Sequence, residues 1–395
     1  MRKSKKAQAR RAQQDQEFER LYRTIPADRA RGVTGDDPRG QPGLPPESTE
    51  KPKWKRVLKR ILIVLAILLA LTGLWLGWKF AANIIKVFGW GGLKDVFFSQ
   101  KLKGEDEGRV NILLAGNSAD DPGHGGAELT DSIMLVSLNT KDKTGYMVSI
   151  PRDLYVDVPD HGYAKVNEVY QDGKKDGFRE DGYPEGGMGL LEKVVSDKLG
   201  VKIHYYALVN YTALQQAVNA VGGITITINS TDPRGLYDPS PDLHNNRKPL
   251  VKLPNGQVTL DGRTALNLAR ARGNARGSYG YANSDFTRTE NQRNILIGLK
   301  DKGASAGTLA NPVKLTQLMD SFGGNVQTDF KTSELRRLYE LSKEIPSAKI
   351  ASVSLNKANG KNLLQSYTTR TRQSALIPAA GIDDYTDIQA FIAGL

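Results

Sequence analysis

The sequence contains no cysteine and only four histidines in 395 residues. Without cysteine, the chain forms no disulfide bond, no thiolate metal site and no cysteine nucleophile. The histidines lack the i, i+4 pairing that binds zinc on a helix, so we expect structural or solvent-exposed roles for His124, His161, His204 and His244. A folded domain of this chain must therefore be stabilised by its hydrophobic core.

Two widespread site motifs are also missing. The glycine-rich segment 116–126 follows an apolar run but lacks the G-x-x-x-x-G-K-[ST] spacing of a nucleotide-binding loop. We interpret it as either an active-site loop or an ordinary surface loop. Ser149 precedes Pro151 and does not stand in a G-x-S-x-G turn, so the sequence predicts no hydrolase-type serine.

One long hydrophobic run is present. Residues Ile61 to Trp78 carry no charge and have about the length that a helix needs to cross a bilayer. Trp75 and Trp78 end the run, where indole rings favour the membrane interface. A cleaved signal peptide is the alternative, but the run begins about 60 residues into the chain and no small-residue cleavage site follows it. We predict a single transmembrane helix within residues 57–80.

The positive charge lies mostly before this run. Residues 1–60 hold 17 Lys and Arg against 8 Asp and Glu, a net of +9, which leaves only +3 of the chain's +12 for the remainder. The positive-inside rule then places the tail in the cytoplasm and the large domain outside the cell. The tail also contains Pro and Gly, is typical of a disordered linker and accompanies no nucleic-acid-binding fold. We therefore expect attraction to anionic lipid and no nucleic-acid partner.

The remaining pattern predicts one large α/β domain. We assign a basic tail to residues 1–56, a juxtamembrane stalk to 81–108, the extracellular domain to 109–350 and a C-terminal extension with a terminal helix to 351–395. Strand-like apolar runs occur at Val110–Ala115, Ile133–Leu138, Tyr146–Ile150, Ile203–Val209 and Ile224–Ile228. Helical spacing occurs at Gly189–Leu199, Tyr211–Val221, Asp261–Arg270, Arg288–Lys300 and Ser333–Ile345. This alternation predicts a mixed central sheet with helices on both faces.

Several arginines are placed to bind phosphate. Arg270 and Arg272 lie at the end of one predicted helix, and alone they fit a solvated basic face equally well. Arg288 and Gln292, however, are four residues apart on the next helix and share one face, with Asp285 before them as a helix cap. The guanidinium fork binds phosphate oxygens two at a time, so converging arginines favour a diphosphate.

Two strand ends add charged residues. Arg152 follows a proline at the end of a strand and is expected to face the crevice where α/β proteins bind ligands. Asp153 fits a loop-fixing salt bridge at least as well as catalysis. Asp131 stands at the start of the earlier strand Ser132 to Leu138 and either caps a turn or, facing the arginines, binds a cation.

Five short blocks, taken together and in this order, resemble the LytR-CpsA-Psr family of membrane-anchored phosphotransferases, which attach lipid-carried glycopolymers to the bacterial cell wall. The blocks are Thr130-Asp131-Ser132, Ser149-Ile150-Pro151-Arg152-Asp153, Lys165-Val166-Asn167, Arg270-Ala271-Arg272 and Asp285-Phe286-Thr287-Arg288-Thr289-Glu290-Asn291-Gln292. The resemblance runs from about Val110 to Ile350 and includes Gly222 to Ile226. It implies that Asp131 binds Mg²⁺. It also implies a diphosphate and head-group site formed by Arg152, Lys165, Asn167, Arg270, Arg272, Arg288 and Gln292, and an apolar tunnel for a polyprenyl chain.

The sequence departs from the family pattern near the metal. Family members carry an aspartate two residues after the glycine that closes the first strand, whereas Gly116 is followed here by Asn117 and Ser118. Asp120 or Asp121 could replace that carboxylate, or Ser118 could coordinate through water, and we take Asp120 as the candidate second ligand. Thr289 and Asn291 also stand where glutamine and arginine are common.

The resemblance implies transfer of a glycan from polyprenyl diphosphate to a hydroxyl of peptidoglycan, with release of polyprenyl phosphate. Arg152, Arg270, Arg272 and Arg288 would stabilise phosphoryl charge, Asp131 would hold the metal and Gln292 would orient the substrate. The sequence does not identify a general base, for which Asp153 is one candidate. Two alternatives remain: a non-catalytic binder or regulator of lipid-linked glycans, and a polyprenyl diphosphate phosphatase that uses water as the acceptor.

Overall fold

A computed structural model describes residues 69–79, 82, 100–121, 128–243, 245–282, 285–304, 323–358 and 360–395. The predicted tail, most of the predicted stalk, His124 and His244 lie outside these residues. Residues 69–79, the described part of the predicted membrane segment, are helical. Within the described ranges, no helix has both the length and the apolar character needed to cross a membrane.

A six-stranded sheet forms the centre of the domain, in the order β11-β6-β1-β2-β3-β12. Its strands are β1 (Arg109–Gly116), β2 (Ser132–Asn139), β3 (Thr144–Ile150), β6 (Tyr205–Val209), β11 (Val326–Thr328) and β12 (Ile350–Ser354). The pairs β1–β6 and β3–β12 are parallel and the other pairs are antiparallel. The sheet is therefore mixed, as the sequence predicts.

Helices cover both faces of this sheet. They are α1 (Val169–Asp176), α2 (Gly187–Leu199), α3 (Tyr211–Ala220), α4 (Gly262–Arg270), α5 (Asp285–Ala304), α6 (Thr332–Glu344) and α7 (Thr386–Ala393). On one face, Leu113 of β1 packs in a core with Leu191 of α2 and Ile388 of α7. On the other, Ile112 packs with Leu341 of α6. Burial on both faces explains why the strand sequences are continuous apolar runs.

A second apolar cluster holds the helices that carry the predicted arginines. Strands β7 (Ile224–Ile228) and β10 (Gly256–Leu260) form an antiparallel pair. Side chains from this pair pack with Val218 of α3, Leu268 of α4 and Ile295 of α5. The side chain of Asp261 caps α4 by accepting a hydrogen bond from the Thr264 N–H. The cluster thereby fixes the C-terminal end of α4 beside the first turns of α5.

Short hairpins complete the domain. They are β4–β5 (Tyr155–Val158 and Gly162–Lys165), β8–β9 (Leu236–Pro241 and Pro249–Leu253), β13–β14 (Lys357–Ala358 and Lys361–Asn362) and β15–β16 (Leu364–Thr368 and Ser374–Pro378). A 3₁₀ turn spans Ser347–Lys349. The terminal helix predicted from sequence is α7.

Two predicted boundaries differ from the structure. Strand β12 pairs with β3 inside the central sheet, so the boundary between residues 350 and 351 falls within a strand. Residues 100–108, assigned to the stalk, pack against the domain: Leu102 is buried, and Glu105 lies 2.6 Å from Arg337 of α6. Both differences arise from contacts between residues far apart in the sequence, which local composition does not reveal.

Candidate functional site

A cavity of about 500 Å³ lies between the ends of β1, β2 and β6 and the helices α3, α4 and α5. Part of its lining is polar and contains predicted site residues, namely Asp131, Arg152, Arg270, Arg272, Arg288 and Gln292. The rest is mainly apolar and includes Leu114, Met134, Leu214, Leu266, Ile295 and Leu296. Residues from four of the five predicted blocks thus line one space. Lys165, of the remaining block, is paired with Asp153, the residue that follows Arg152.

Arg152 enters the cavity because β3 ends at Ile150 and Pro151 cannot continue the ladder. Its Nη1 lies 2.6 Å from Asp131 Oδ1, and its Nε lies 3.7 Å from Asp153 Oδ2. Burial lowers the pKa of Arg152, but the hydrogen bond to Asp131 and that carboxylate's charge outweigh it, so the pKa is raised overall. Arg152 is therefore a permanent cation held in place by Asp131.

Arg288 and Arg272 share one carboxylate. Arg288 Nη2 lies 2.8 Å from Asp285 Oδ1, and Arg272 Nε lies 3.3 Å from the same oxygen. Arg288 is only 5% exposed. Burial, reinforced by the charges of Arg272 and Arg152, lowers its pKa to about 10. A single carboxylate between two guanidinium groups leaves positive charge that a bound anion would neutralise.

Arg270 ends α4, where a cation complements the helix dipole. Its Nη2 lies 3.6 Å from Asp121 Oδ2, and its guanidinium lies 4.6 Å from the ring centroid of Tyr211. Tyr211 also receives a hydrogen bond from Ser118. Arg270 is thus positioned by an ion pair and a cation–π contact, both from residues outside its own helix.

Gln292 joins three elements. Its Oε1 accepts a hydrogen bond from Ser132 Oγ of β2 at 2.9 Å, and its Nε2 donates to the Ala269 carbonyl of α4 at 2.9 Å. Both polar ends of the amide are therefore engaged by the protein. Gln292 thus joins α5 to β2 and α4, and it also lines the cavity, so its orientation of a substrate stays a prediction.

Asp153 and Lys165 form a pair beside the cavity. Lys165 Nζ lies 2.9 Å from Asp153 Oδ1, while the other oxygen of Asp153 faces Arg152. A carboxylate held between two cations fixes the loop after β3, which agrees with the salt-bridge interpretation. The geometry does not single out Asp153 as a general base.

The residues around Asp131 fit a weakly held magnesium ion. Asn167 Nδ2 lies 3.4 Å from Asp131 Oδ1, and the amide oxygen of Asn167 is buried without a hydrogen-bond partner among the described residues. Mg²⁺ prefers oxygen ligands and usually takes one or two protein carboxylates. Within the described part of the chain, no group of three acidic or histidine side chains could hold a metal. Asp131 with Asn167 is therefore the best-suited pair.

The carboxylate of Asp120 lies at the start of α3. Its two carboxylate oxygens accept hydrogen bonds from the backbone N–H groups of Tyr211 at 3.1 Å and Thr212 at 2.7 Å. This is an N-terminal cap of α3, where N–H groups have no partner within the helix. Asp120 is therefore engaged by α3 and Asp121 by Arg270, and a role of either residue as a metal ligand stays a prediction.

Several contributors to the site are not evident from the sequence. Tyr211 and Asp121 become relevant only because α3 lies against the end of α4. Arg293 follows Gln292 directly, yet it is 5% exposed and its Nη1 donates to Ser149 Oγ at 2.6 Å. Its Nε contacts Ser352 Oγ of β12. Arg293 thus connects α5 to β12 and to β3, the strand that Arg152 follows, and no local sequence pattern indicates these contacts.

A mixed α/β fold with four arginines around a largely apolar cavity is typical of a protein that binds a phosphorylated, mostly apolar molecule. The LytR_cpsA_psr family model matches residues 93–377, so the chain belongs to this family. The blocks that carry the resemblance thus lie in the matched region.

Named relatives are found among cell-wall proteins. The chain is 32% identical over 235 residues to the polyisoprenyl-teichoic acid–peptidoglycan teichoic acid transferase TagU of Oceanobacillus iheyensis, over 59% of this chain and 63% of the relative. It is 27% identical over 305 residues to the transferase TagT of Bacillus subtilis, over 74% of this chain and 85% of the relative. The match thus spans less than two thirds of the TagU relative. A solved structure, TagT bound to LI-WTA, shares the fold with a TM-score of 0.53 at 23% identity, over 73% of this chain and 91% of that chain.

Proposed function

We propose that this protein transfers a glycopolymer from a polyprenyl diphosphate carrier to a hydroxyl group of peptidoglycan and releases polyprenyl phosphate. One observation carries the proposal: Arg152, Arg270, Arg272 and Arg288 line the same cavity as a set of apolar side chains. A lipid diphosphate has both properties in one molecule, a diphosphate for the arginines and a hydrocarbon chain for the apolar wall. The transferase names of the TagU and TagT relatives agree with this substrate class.

Phosphoryl transfer depends mainly on alignment of the acceptor with the phosphorus atom and on stabilisation of negative charge, and it needs no covalent intermediate with the protein. In the proposed reaction, the acceptor oxygen forms a bond to the phosphorus next to the glycan, and the bond from that phosphorus to the bridging oxygen breaks. Polyprenyl phosphate leaves with the bridging oxygen, and the acceptor proton passes to solvent or to the leaving phosphate. The arginines stabilise the negative charge on the phosphoryl oxygens, and they are preorganised by the carboxylates that hold them.

The ion pairs of the cavity suggest how the diphosphate is received. Arg152 is paired with Asp131, Arg270 with Asp121, and Arg272 and Arg288 share Asp285. Asp153 lies between Arg152 and Lys165, so five cationic side chains face four carboxylates and the cluster keeps a net positive charge. Arg288 is buried and shares its carboxylate with Arg272, so its charge is incompletely neutralised by the protein. Bidentate, charge-assisted hydrogen bonds to phosphate oxygens would compensate this charge.

Asp131 and Asn167 would hold Mg²⁺ in this proposal. When bound, the ion would neutralise further charge on the diphosphate. Because a single carboxylate is available and Ser118 stands where the family usually has an aspartate, we expect the protein to bind the ion weakly without substrate. The release of Asp131 from Arg152 would leave the guanidinium free for a phosphate oxygen.

We also propose a single-pass membrane location, with the basic tail in the cytoplasm and the domain outside. The proposal is supported by the uncharged run Ile61 to Trp78 and by the excess of Lys and Arg before it. A lipid-linked donor and a wall acceptor both fit this placement.

The test is to incubate the purified full chain with a lipid-diphosphate glycan and Mg²⁺, with and without peptidoglycan sacculi. Glycan covalently attached to sacculi is the expected product, and it should require the acceptor. Release of free glycan phosphate without sacculi would instead indicate a phosphatase. Tight donor binding without turnover under either condition would indicate a non-catalytic binder.

A further inference from the structure

Three tyrosines outside the cavity form a row, with one stacked and one tilted pair of rings. The rings of Tyr155 and Tyr163 are 5.5 Å apart between centroids with an interplanar angle of 25°, and those of Tyr155 and Tyr367 are 5.7 Å apart at 31°. Tyr155 is the middle ring, so Tyr163 and Tyr367 each keep one ring face turned away from it. Tyr163 is 44% exposed, which is unusual for so large a side chain held in a stack.

The row points outward because of strand alternation. Val156 and Val158 of β4 are buried in the main core, whereas Tyr155 and Asp157 lie on the opposite face of the hairpin. Tyr155 is paired across the hairpin with Lys165. The outward face of β4–β5 therefore presents aromatic and charged groups together, and the valines on its inward face anchor it.

The third ring comes from the C-terminal part of the chain. The Leu376 N–H donates to the Asp153 carbonyl at 2.9 Å, and Leu376 forms a β-bridge with Leu154. These contacts fix the β15–β16 hairpin beside β4 and bring Tyr367 next to Tyr155. Residues 364–378 thus add a third ring beside β4, a role that their sequence does not reveal.

The row begins at the edge of the arginine cavity. Tyr155 follows Arg152 by three residues, so their Cα atoms are at most about 11 Å apart. Lys165, opposite Tyr155, reaches Asp153, and Asp153 faces Arg152. A continuous line of contacts therefore leads from the rings to a guanidinium that lines the cavity.

We propose that the tyrosine row, formed by Tyr163, Tyr155 and Tyr367, binds the acceptor glycan strand of peptidoglycan. The inference rests on the proposed function. A donor lipid can enter the largely apolar cavity, whereas a cross-linked polymer needs an exposed surface on which to lie. Sugar rings expose C–H groups that favour the negative face of an aromatic ring, and the phenol hydroxyls and Lys165 offer hydrogen bonds to sugar hydroxyls.

The test measures acceptor binding separately from transfer. Full-length protein in detergent is sedimented with purified sacculi in the absence of donor, and the bound fraction is compared among Tyr163→Ala, Tyr367→Ala and Tyr163→Phe. We expect each alanine variant to bind sacculi about three- to tenfold more weakly, the effect of losing one aromatic contact. Tyr163→Phe keeps the ring and should stay within twofold of the unaltered protein, by the same estimate. Tyr339→Ala, on α6 away from the row, is the matched control.

Steady-state kinetics of the transfer reaction then show which of the two substrates each substitution affects. Each alanine variant should raise the KM for sacculi by a similar factor and leave the KM for the lipid-linked donor unchanged. Arg272→Ala should show the reverse, with transfer lost and sacculi binding retained, so failure of the proposed chemistry is distinguishable from failure of the proposed surface. Unchanged sacculi binding in both alanine variants, or equal losses in Tyr339→Ala, would overturn the assignment. Far-UV circular dichroism identifies any variant that fails to fold. Tyr163→Leu, which keeps an apolar side chain but lacks the aromatic ring, then decides the question: it should raise the KM for sacculi, and an unchanged KM would overturn the assignment.

Discussion

Replacement of Arg288 by methionine removes a buried positive charge and keeps a side chain of similar length. Arg288 is 5% exposed, and it shares Asp285 with Arg272. Its Nη2 also donates to the Asp131 carbonyl at 3.3 Å. In the absence of an anion, the buried Arg288 cation therefore shares its carboxylate partner, Asp285, with a second arginine. We predict that Arg288→Met stabilises the free protein and abolishes diphosphate binding.

The magnitude follows from the lowered pKa of Arg288. Burial and the neighbouring arginines bring this pKa to about 10. Each pKa unit corresponds to about 1.4 kcal/mol, so confining the charge costs the folded state about 3 kcal/mol at neutral pH. Asp285 keeps only Arg272 after the substitution, which offsets part of the gain. We expect a net increase of roughly 1–2 kcal/mol in the free energy of unfolding, or about 2–6 °C in Tm.

The assay is thermal unfolding of the full chain in detergent, followed by far-UV circular dichroism, with and without geranylgeranyl diphosphate as a soluble probe. The unaltered protein should gain several degrees when the probe is added, because binding to the folded state stabilises it. Arg288→Met should start higher and gain nothing. Arg276→Met, at an exposed arginine outside the cavity lining, is the control and should change neither value.

Two results would refute this reasoning. If Arg288→Met lowers the Tm of the free protein, the charge of Arg288 is already compensated by its protein contacts and does not need a bound anion. If the variant keeps the probe-dependent shift, the diphosphate binds elsewhere.

Four further predictions concern other parts of the molecule. Gln292→Glu should lose the bond to Ala269, destabilise the protein by about 1–2 kcal/mol in urea unfolding and lower the transfer rate, because Arg270 follows Ala269; unchanged transfer would count against its positioning role. Burial, reinforced by Asp329, raises the pKa of Glu192 to about 7. The protonated form of Glu192 therefore contributes stability that is fully present below about pH 4.5 and is lost as the pH rises through 7. In Glu192→Gln, the free energy of unfolding should depend less on pH across this range. Asp131→Ala should abolish the Mg²⁺ dependence of transfer, and Ser118→Asp should lower the Mg²⁺ concentration for half-maximal activity; an intact metal response in Asp131→Ala would mean that the ion is bound elsewhere. Protease added to intact protoplasts should degrade the chain beyond residue 90 and spare residues 1–60, whereas protection of the large domain would contradict the proposed topology.

Local patterns predict the central elements of this fold well. Strands β1, β2 and β3 are buried on both faces, so they appear as uninterrupted apolar runs. Helices α3 and α4 begin at capping residues, Asn210 and Asp261, that mark them in the sequence. The hairpins β4–β5 and β15–β16 are short and half-exposed, and their positions depend on the bond between Leu376 and Asp153. No local pattern carries that information.

The candidate site is predicted in composition but not in geometry. The four-residue spacing of Arg288 and Gln292 correctly places them on one helix face. It does not show that the side-chain amide of Gln292 forms hydrogen bonds with Ser132 and with the Ala269 carbonyl. The sequence also gives no sign that Arg288 is buried while Arg270 and Arg272 are partly exposed. Asp120 lies two residues after Ser118, the position where family members carry the second aspartate. Its carboxylate accepts hydrogen bonds from the first N–H groups of α3. In each case the outcome depends on which distant element packs against the residue.

The most direct measurement follows the phosphorus atom next to the glycan. A donor labelled with ³²P at that position alone is incubated with the full-length protein, Mg²⁺ and sacculi, and the label is located after extraction of lipid. The account predicts that the label becomes covalently attached to the sacculi while unlabelled polyprenyl phosphate appears in the lipid fraction. Label that remains in the lipid, or that is released as a soluble glycan phosphate in the presence of sacculi, would contradict it.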